Sequence, residues 1–256
     1  MTTQTNNSDI DIDSGPSLGS RIIEELKFLI GLFAFISVFF TLVWGHYKIP
    51  SESMQPTLEV GDHLYVSKFA YGYSKHSLPF GLSKLPVPRG KILSKLPRRG
   101  DVVVFSNPRT GMIMIKRVVG LPGDTINVNG GRLVINGNMI AREAVANYLY
   151  REHRGGVVGV DVYNETLPDE KQSHAIYEQS DSLSLDNVGP FTVPEGHVFM
   201  MGDNRDNSVD SRAPTGPGMV PLDHLIGRAD LMMFSFKRCD KTENLYCPPS
   251  RWAIKM

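Results

Sequence analysis

The chain has 256 residues, which is enough for one well-buried domain or for two small ones. It carries 27 Lys and Arg residues and 27 Asp and Glu residues, so its formal net charge is zero. Because a nucleic-acid partner requires a surplus of basic side chains, this balance argues against nucleic-acid binding.

The first twenty residues are polar and are predicted to form a disordered tail, residues 1–20. Within them, Gly15–Gly19 formally matches the G-x-S-x-G motif that surrounds a nucleophilic serine in some hydrolases. That motif needs a strand before it and a helix after it, and the polar tail predicts neither. We therefore attribute the match to chance.

An apolar segment follows the tail. Phe28–Gly45 contains no charged residue, and its Phe and Leu residues leave no polar face on the predicted helix. Trp44 and Tyr47 lie where an aromatic belt at a membrane surface would fall. The residues after the run lack the small-x-small pattern of a cleavable signal peptide. The sequence therefore predicts a permanent transmembrane anchor over residues 21–47.

Residues 48–256 are predicted to form an antiparallel β domain. Gly-Asp pairs open three runs of strand-forming residues, and Asn129-Gly130-Gly131 predicts a tight hairpin turn. The predicted strands are His63–Val66, Val102–Phe105, Met112–Val119, Thr125–Val128, Arg132–Ile135, His197–Met201 and Arg228–Phe236. The predicted fold class is therefore mainly β, with a single N-terminal transmembrane helix before the β domain.

Two stretches of this domain have weaker strand signals. Tyr71–Pro97 is punctuated by Pro and Gly and predicts an extended loop, whereas residues 141–190 predict an inserted, β-rich small subdomain. No acidic residue lies between Asp62 and Asp101, while eight basic residues do. These basic residues could form a solvated face or contact anionic lipid headgroups, and the sequence leaves both possibilities open.

The chain has two cysteines, Cys239 and Cys247. They could form one disulfide in an oxidising compartment or remain two thiols, and the sequence does not decide between these states. No group of Cys and His residues has the spacing of a zinc site, so we expect neither a metal nor a cofactor.

Three clusters of polar residues could carry chemistry. The first, Ile49–Leu58, contains Pro-Ser-x-Ser-Met-x-Pro, which by itself is typical of a loop with a helix cap. The third, Gly202–Arg212, is dense in Asp and Asn and resembles a calcium loop in composition. However, Ser208 and Pro214 occupy the places where an EF-hand loop requires Gly and Glu, so calcium binding is not expected.

The second cluster, Met112–Asp124, contains a lysine within a predicted strand. Strand alternation places Lys116 on the same face as Met112, Met114 and Val118. A lysine on an apolar face can protect a sheet edge, or it can be a buried amine with a lowered pKa. Only a buried amine suits a general base, because the lysine pKa must fall by roughly two to three units to leave it neutral.

The three clusters, in this order after an apolar anchor, resemble the three signatures of bacterial type I signal peptidases. Pro50–Leu58 is similar to the family's nucleophile motif, Ile115–Asp124 to its lysine motif and Gly202–Arg212 to its third motif. The resemblance extends over about Ile49–Phe236. It implies a membrane-bound serine endopeptidase that cleaves signal peptides from exported preproteins after small residues.

The resemblance also implies a role for each matching residue. Ser53 matches the nucleophile, and Lys116 matches the general base that takes its proton. The Ser51 hydroxyl and the Ser53 backbone N–H match the oxyanion hole, and Ser208 matches the serine that orients the lysine amine. A supporting ion pair is matched by Asp210 and Arg212.

Substrate binding in the family uses shallow apolar pockets beside an extended peptide. The positions that match those pockets are Ile49, Pro50, Met54, Leu58 and Ile115. Glu52 stands between the two serines, where many members have Gly, and this difference bears on the charge and shape of the oxyanion loop.

The resemblance further implies a cellular location. The β domain would lie on the outer side of the bacterial cytoplasmic membrane, with residues 1–20 in the cytoplasm. Its partners would be exported preproteins and the lipid bilayer, including anionic phospholipid.

Other functions fit the sequence less well. A self-cleaving repressor-type protease also uses serine and lysine but carries no apolar anchor. A β-lactamase-like site requires S-x-x-K and a metalloprotease site requires H-E-x-x-H, and neither occurs here. An inactive membrane-tethered β scaffold would not need Ser53, Lys116 and Ser208 together.

Overall fold

The computed structural model describes most of the chain in two units, residues 1–40 and residues 41–256. The described residues are 18–77, 90, 92–153, 155–170, 172–235, 245–249 and 251–256. Residues 1–17 of the predicted tail therefore lie outside the described residues, as does Cys239, one of the two cysteines whose state the sequence leaves open.

Helix α1, Leu18–Leu42, forms the described part of the first unit and extends two residues beyond it. Its large apolar side chains are mostly exposed, Phe28 and Phe33 at 68% and 74%. In the described part of the chain, no helix has the length and apolarity needed to cross a membrane. The helix begins at Leu18, so the last residues of the predicted tail are helical.

The end of α1 differs from the predicted anchor of residues 21–47. The helix stops at Leu42, and Trp44–Lys48 forms a strand antiparallel to Asp62–Ser67. The indole of Trp44 packs edge-on against the Tyr65 ring at 5.3 Å. Pairing with a distant strand thus places Trp44 and Tyr47 in the β domain rather than at a helix end.

The second unit is mainly β, as predicted. Within its described residues the strands are β1 (Trp44–Lys48), β2 (Asp62–Ser67), β3 (Val102–Ser106), β4 (Ile113–Gly120), β5 (Thr125–Asn129), β6 (Arg132–Ile135), β7 (Asn138–Met139), β8 (Arg142–Arg151), β9 (Val157–Glu165), β10 (His174–Glu178), β11 (Asn187–Thr192), β12 (His197–Met201), β13 (Val220–Pro221), β14 (Leu225–Ser235) and β15 (Trp252–Lys255). Short 3-10 helices lie at Lys68–Tyr71, Lys75–Ser77 and Leu222–His224.

The described strands form three antiparallel sheets. The largest has the order β1-β2-β14-β3-β4-β12-β13, with β15 paired to β14. A four-stranded sheet has the order β11-β5-β6-β7, and a three-stranded sheet has the order β10-β9-β8. The predicted β5–β6 hairpin is confirmed: Gly130 and Gly131 both have positive φ, which a tight hairpin turn requires.

The predicted β-rich insertion corresponds to the three-stranded sheet, Arg142–Glu178. It ends before residue 190, because Asn187–Thr192 pairs with β5 in the four-stranded sheet. Most of the predicted loop Tyr71–Pro97 lies outside the described residues. Its described part includes an antiparallel bridge between Tyr73 and Ile92.

An apolar core lies beneath the first polar cluster. Ile49, Met54 and Leu58 pack there against side chains from β2, β3, β4 and β14, and Met54 and Leu58 have no exposed surface. The turn that carries Ser53 is therefore fixed from below by burial of its own apolar residues.

This burial predicts the effect of truncating Leu58. Leu58→Ala should lower the free energy of unfolding by about 2–5 kcal/mol, because it leaves a cavity in a closed core. Chemical denaturation of the purified chain measures this change. Leu183→Ala is the matched control, since Leu183 is 44% exposed. Equal stability of the two variants would contradict the packing described here.

Candidate active site

The structure brings Ser53 and Lys116 into direct contact, although 63 residues separate them. Lys116 Nζ lies 2.6 Å from Ser53 Oγ, and it also donates to the backbone oxygen of Ile115 at 3.1 Å. Both residues are buried, with Ser53 8% and Lys116 3% exposed. A hydroxyl and an amine at this distance can exchange a proton directly.

Burial changes the acidity of the lysine. Desolvation lowers the pKa of Lys116 from 10.5 to about 8, against opposing effects of Asp210 and Asp203. At pH 7 the amine is then neutral in about one molecule in ten, compared with about one in three thousand for an ordinary lysine. Of the two interpretations of Lys116, the structure supports the buried amine rather than a residue protecting a sheet edge.

Strand alternation explains how Lys116 reaches this position. On β4, Met114 and Lys116 face a cleft of about 390 Å3, whereas Ile115 between them points into the apolar core. β3 pairs with this part of β4, with Val103 opposite Lys116. The lysine is therefore held by a strand whose opposite face is anchored in the core.

The turn that carries Ser53 is held by its own backbone and by the third cluster. Gln55 N–H donates to the Glu52 carbonyl at 3.0 Å, and Asn204 N–H donates to the Ser53 carbonyl at 3.2 Å. Ser51 Oγ lies 3.4 Å from Ser53 Oγ. The two predicted serines thus stand side by side at the cleft.

The third cluster contains the predicted ion pair. Arg212 donates two hydrogen bonds to the Asp210 carboxylate, at 3.0 and 2.9 Å, and both side chains are fully buried. Gly202 N–H also donates to Asp210 Oδ2 at 3.0 Å. Burial would raise the pKa of Asp210, but Arg212 and these hydrogen bonds lower it.

Ser208 lies close to the nucleophile without contacting Lys116 through a standard hydrogen bond. Its Oγ is buried and interacts with the Asp210 carboxylate, whose pKa it helps to lower. A Cβ on Gly202 would overlap Ser208 Oγ and the Ser53 carbonyl oxygen, so only glycine fits there. The predicted orienting role of Ser208 stays a prediction.

The structure places the five predicted pocket residues in two different environments. Pro50 lines the cleft beside Ser51 and Ser53. The other four are buried in the apolar core, with exposed fractions of 0 to 8%: Ile49, Met54, Leu58 and Ile115. These four side chains do not line the described cleft, and their predicted place near shallow apolar pockets for the substrate stays a prediction.

Sequence reasoning missed several residues of the cleft. The lining residues outside the predicted set are Glu52, Met114, Glu152, His153, Asn207 and Val209. Glu152 and His153 belong to the insertion, about 100 residues from Ser53. No local pattern reveals such a contact, whereas Met114 could have been found from its alternation with Lys116.

Two further buried ion pairs support the third cluster. Arg117 donates to both oxygens of Asp203, at 2.8 and 2.7 Å, and Arg205 binds Glu165 of β9. Burial would raise the pKa of Glu165, but Arg205 and His174 hold it at about 2. Asp203 and Arg205 lie within the third motif, but their partners could not be inferred from spacing.

One group of carboxylates has the spacing of a cation site within the described residues. Oxygens of Glu178, Asp186 and Asp206 lie within 4.8 Å of one another. Burial raises the pKa of Glu178 to about 8 and also raises that of Asp186. With a pKa of about 8, Glu178 is mostly protonated at neutral pH, which removes one negative charge from the group.

Comparison with known proteins identifies relatives of the chain. The family described as signal peptidase, peptidase S26, matches residues 22–234. A signal peptidase I of Pseudomonas aeruginosa is 40% identical over 200 residues, which are 74% of this chain and 64% of that protein. A signal peptidase I of Rickettsia typhi is 36% identical over 204 residues, which are 77% of this chain and 74% of that protein.

A solved structure also matches. The crystal structure of a signal peptidase I from Enterococcus faecalis is 28% identical in the matched part. The match covers 52% of this chain and 97% of that chain, with a TM-score of 0.31.

The buried amine can be tested without a substrate. In the protein labelled with 15N-lysine, the Nζ signal of Lys116 should titrate with a midpoint near pH 8, because burial disfavours the ammonium. NMR measures this midpoint, and the signal should be missing from the spectrum of Lys116→Ala. A midpoint near 10.4, the value of a free lysine, would contradict the lowered pKa.

Proposed function

Because the chain belongs to the signal peptidase family, peptidase S26, we propose that it is a membrane-bound serine endopeptidase. It removes N-terminal signal peptides from exported preproteins by cleaving after small residues. The observation that carries this proposal is the 2.6 Å contact between Lys116 Nζ and Ser53 Oγ inside a cleft.

Ser53 and Lys116 perform the bond-breaking steps. The neutral amine of Lys116 takes the proton of Ser53 Oγ while that oxygen attacks the carbonyl carbon of the scissile peptide bond. The Lys116 ammonium then gives the proton to the leaving nitrogen as the C–N bond breaks, which leaves an ester on Ser53. A water molecule, deprotonated by the same amine, then attacks the ester carbonyl carbon. The Lys116 ammonium returns the proton to Ser53 Oγ as the C–O bond breaks, and the signal peptide leaves with a new carboxyl group.

The oxyanion is stabilised at the nucleophile turn. The Ser51 hydroxyl and the Ser53 backbone N–H donate hydrogen bonds to the negative oxygen of the tetrahedral intermediate. The 3.4 Å distance between the two serine Oγ atoms supports this assignment, since it puts the Ser51 hydroxyl beside the attacked carbonyl. We assign the remaining predicted role, orientation of the lysine amine, to Ser208. Its buried hydroxyl lies against Gly202, as does the carbonyl oxygen of Ser53, which supports this assignment.

The substrate binds as an added strand on β4. On the side away from β3, Ile113–Lys116 has no strand partner in the described part of the chain. An extended peptide could pair with this free backbone and present its scissile bond to Ser53. Pro50 and Met114 would then contact the small residues before the cut.

Helix α1 holds the enzyme at a membrane. Its last fifteen residues, Phe28–Leu42, contain no charge, and many of their apolar side chains are exposed. Such a surface is unstable in water and is stabilised by lipid. The single-pass topology, with the β domain outside the cytoplasm and in contact with anionic phospholipid, stays a prediction.

Removal of either dyad residue should abolish processing. Ser53→Ala deletes the nucleophile and Lys116→Ala deletes its base, so each should lower kcat/KM by at least about a thousandfold. Cleavage of a preprotein by the purified chain measures this loss. Ser184→Ala, an exposed serine, is the matched control and should keep full activity. Near-normal turnover of either dyad variant would show that the proposed mechanism is wrong.

Membrane attachment through α1 can be tested in cells. The full chain should stay in the membrane pellet after washing with alkaline carbonate, and Phe33→Asp with Ile36→Asp should release most of it, because two charges in the apolar run disfavour lipid contact. Immunoblotting of the fractions measures the distribution. The control replaces Leu183 and Val145, exposed residues of the β unit, with Asp. Release of the unmodified chain by carbonate would count against attachment.

A further inference from the structure

One wall of the cleft comes from the insertion rather than from the main sheet. The turn between β8 and β9, which we call the hairpin turn, comprises Glu152, His153, Gly155 and Gly156 among the described residues. Glu152 and His153 line the cleft together with Ser53 and Lys116. The turn is closed by backbone hydrogen bonds between Glu152 and Gly156, at 2.8 Å, and between Gly155 and Glu152, at 2.9 Å.

The side chain of Glu52 reaches this turn directly. Its Oε1 accepts the backbone N–H of His153 at 2.7 Å, across 101 residues of sequence. A carboxylate that accepts a backbone N–H makes a stronger hydrogen bond than a neutral acceptor. The other described contact across the cleft to the turn, from Asn207 Nδ2 to Glu152 Oε1, is longer at 3.4 Å.

The backbone of Glu52 is held separately from its side chain. Its carbonyl accepts Gln55 N–H at 3.0 Å and Asn204 Nδ2 at 3.3 Å. These bonds keep the turn that carries Ser53 in place without help from the carboxylate. Loss of the carboxylate should therefore free the hairpin turn and leave the nucleophile where it is.

We propose that Glu52 is a positioning residue whose carboxylate fixes the hairpin turn as a wall of the cleft. The consequence for substrate affinity rests on the proposed function. A wall that is already ordered binds a peptide without an added entropy cost. A mobile hairpin turn should therefore bind the peptide more weakly. The chemical step depends on Ser53 and Lys116 and should change little. The carboxylate thus contributes to KM more than to kcat.

The first test measures the contact itself and needs no substrate. In Glu52→Ala, the amide of His153 should exchange with solvent about tenfold faster than in the wild type, because it loses a charged acceptor. NMR-detected hydrogen exchange on the full chain in detergent measures this rate. Glu52→Gln keeps an accepting oxygen and should restore slow exchange. Glu143→Ala, an exposed position on β8, is the matched control.

The second test measures peptide cleavage by the same four proteins. Glu52→Ala should raise KM about fivefold to tenfold, with kcat within about twofold of the wild type and an unchanged acid limb of the pH profile. Glu52→Gln should bring KM back to near the wild-type value. A higher KM with an unchanged kcat distinguishes loss of the fixed wall from a general loss of stability. A general loss of stability would lower the fraction of active enzyme and hence kcat.

Several outcomes would overturn the proposal. Unchanged exchange at His153 in Glu52→Ala would show that the carboxylate does not hold the turn. A fall in kcat with KM preserved would show that Glu52 does not act through the wall, since an effect on the oxyanion loop or a smaller active fraction would each produce it. Failure of the wild type to cleave any preprotein would contradict the proposed function, and the exchange rates would still decide whether Glu52 holds the turn.

Discussion

The amine of Lys116 lies beside Ser53 Oγ with almost no exposed surface, and the loss of water around it lowers its pKa to about 8. Asp210 and Asp203 oppose this effect, since each of them raises the pKa of Lys116. Each of these carboxylates is bound by its own arginine, Asp203 by Arg117 and Asp210 by Arg212. Arg212 itself lowers the pKa of Lys116, so its ion pair with Asp210 limits the effect of that carboxylate on the lysine.

Residues from distant parts of the chain hold the third cluster in place. The third cluster is joined to the insertion, since Tyr177 N–H donates to the Asp203 carbonyl and Arg205 N–H donates to the Tyr177 carbonyl. Arg205 also binds Glu165 within the insertion. Such buried pairs stabilise little in themselves, but removing one partner is costly, so they hold the loop in one arrangement. The insertion therefore supports the active site as well as lining it.

Features governed by local periodicity were predictable from the sequence. The β5–β6 hairpin, the strand that carries Lys116 and the face on which that lysine lies all follow from alternation and turn residues. Features that depend on long-range packing could not be predicted from the sequence. The apolar run continues to Gly45, so nothing local marks the end of α1 at Leu42, and only pairing with β2 makes Trp44–Lys48 a strand. Likewise, the apolar residues around Ser53 suit a pocket or a core equally well, and the core contains four of the five.

Strand β1 has a practical consequence for any soluble form of the protein. It runs from Trp44 to Lys48 and covers one edge of β2, whose other edge is paired with β14. A shortened protein that starts at residue 48 would lack nearly all of this strand and would leave the amides and carbonyls of β2 open to pairing with another molecule. Self-association of such a fragment would then reflect the choice of the first residue rather than a property of the enzyme. A start at or before Trp44 keeps the edge covered.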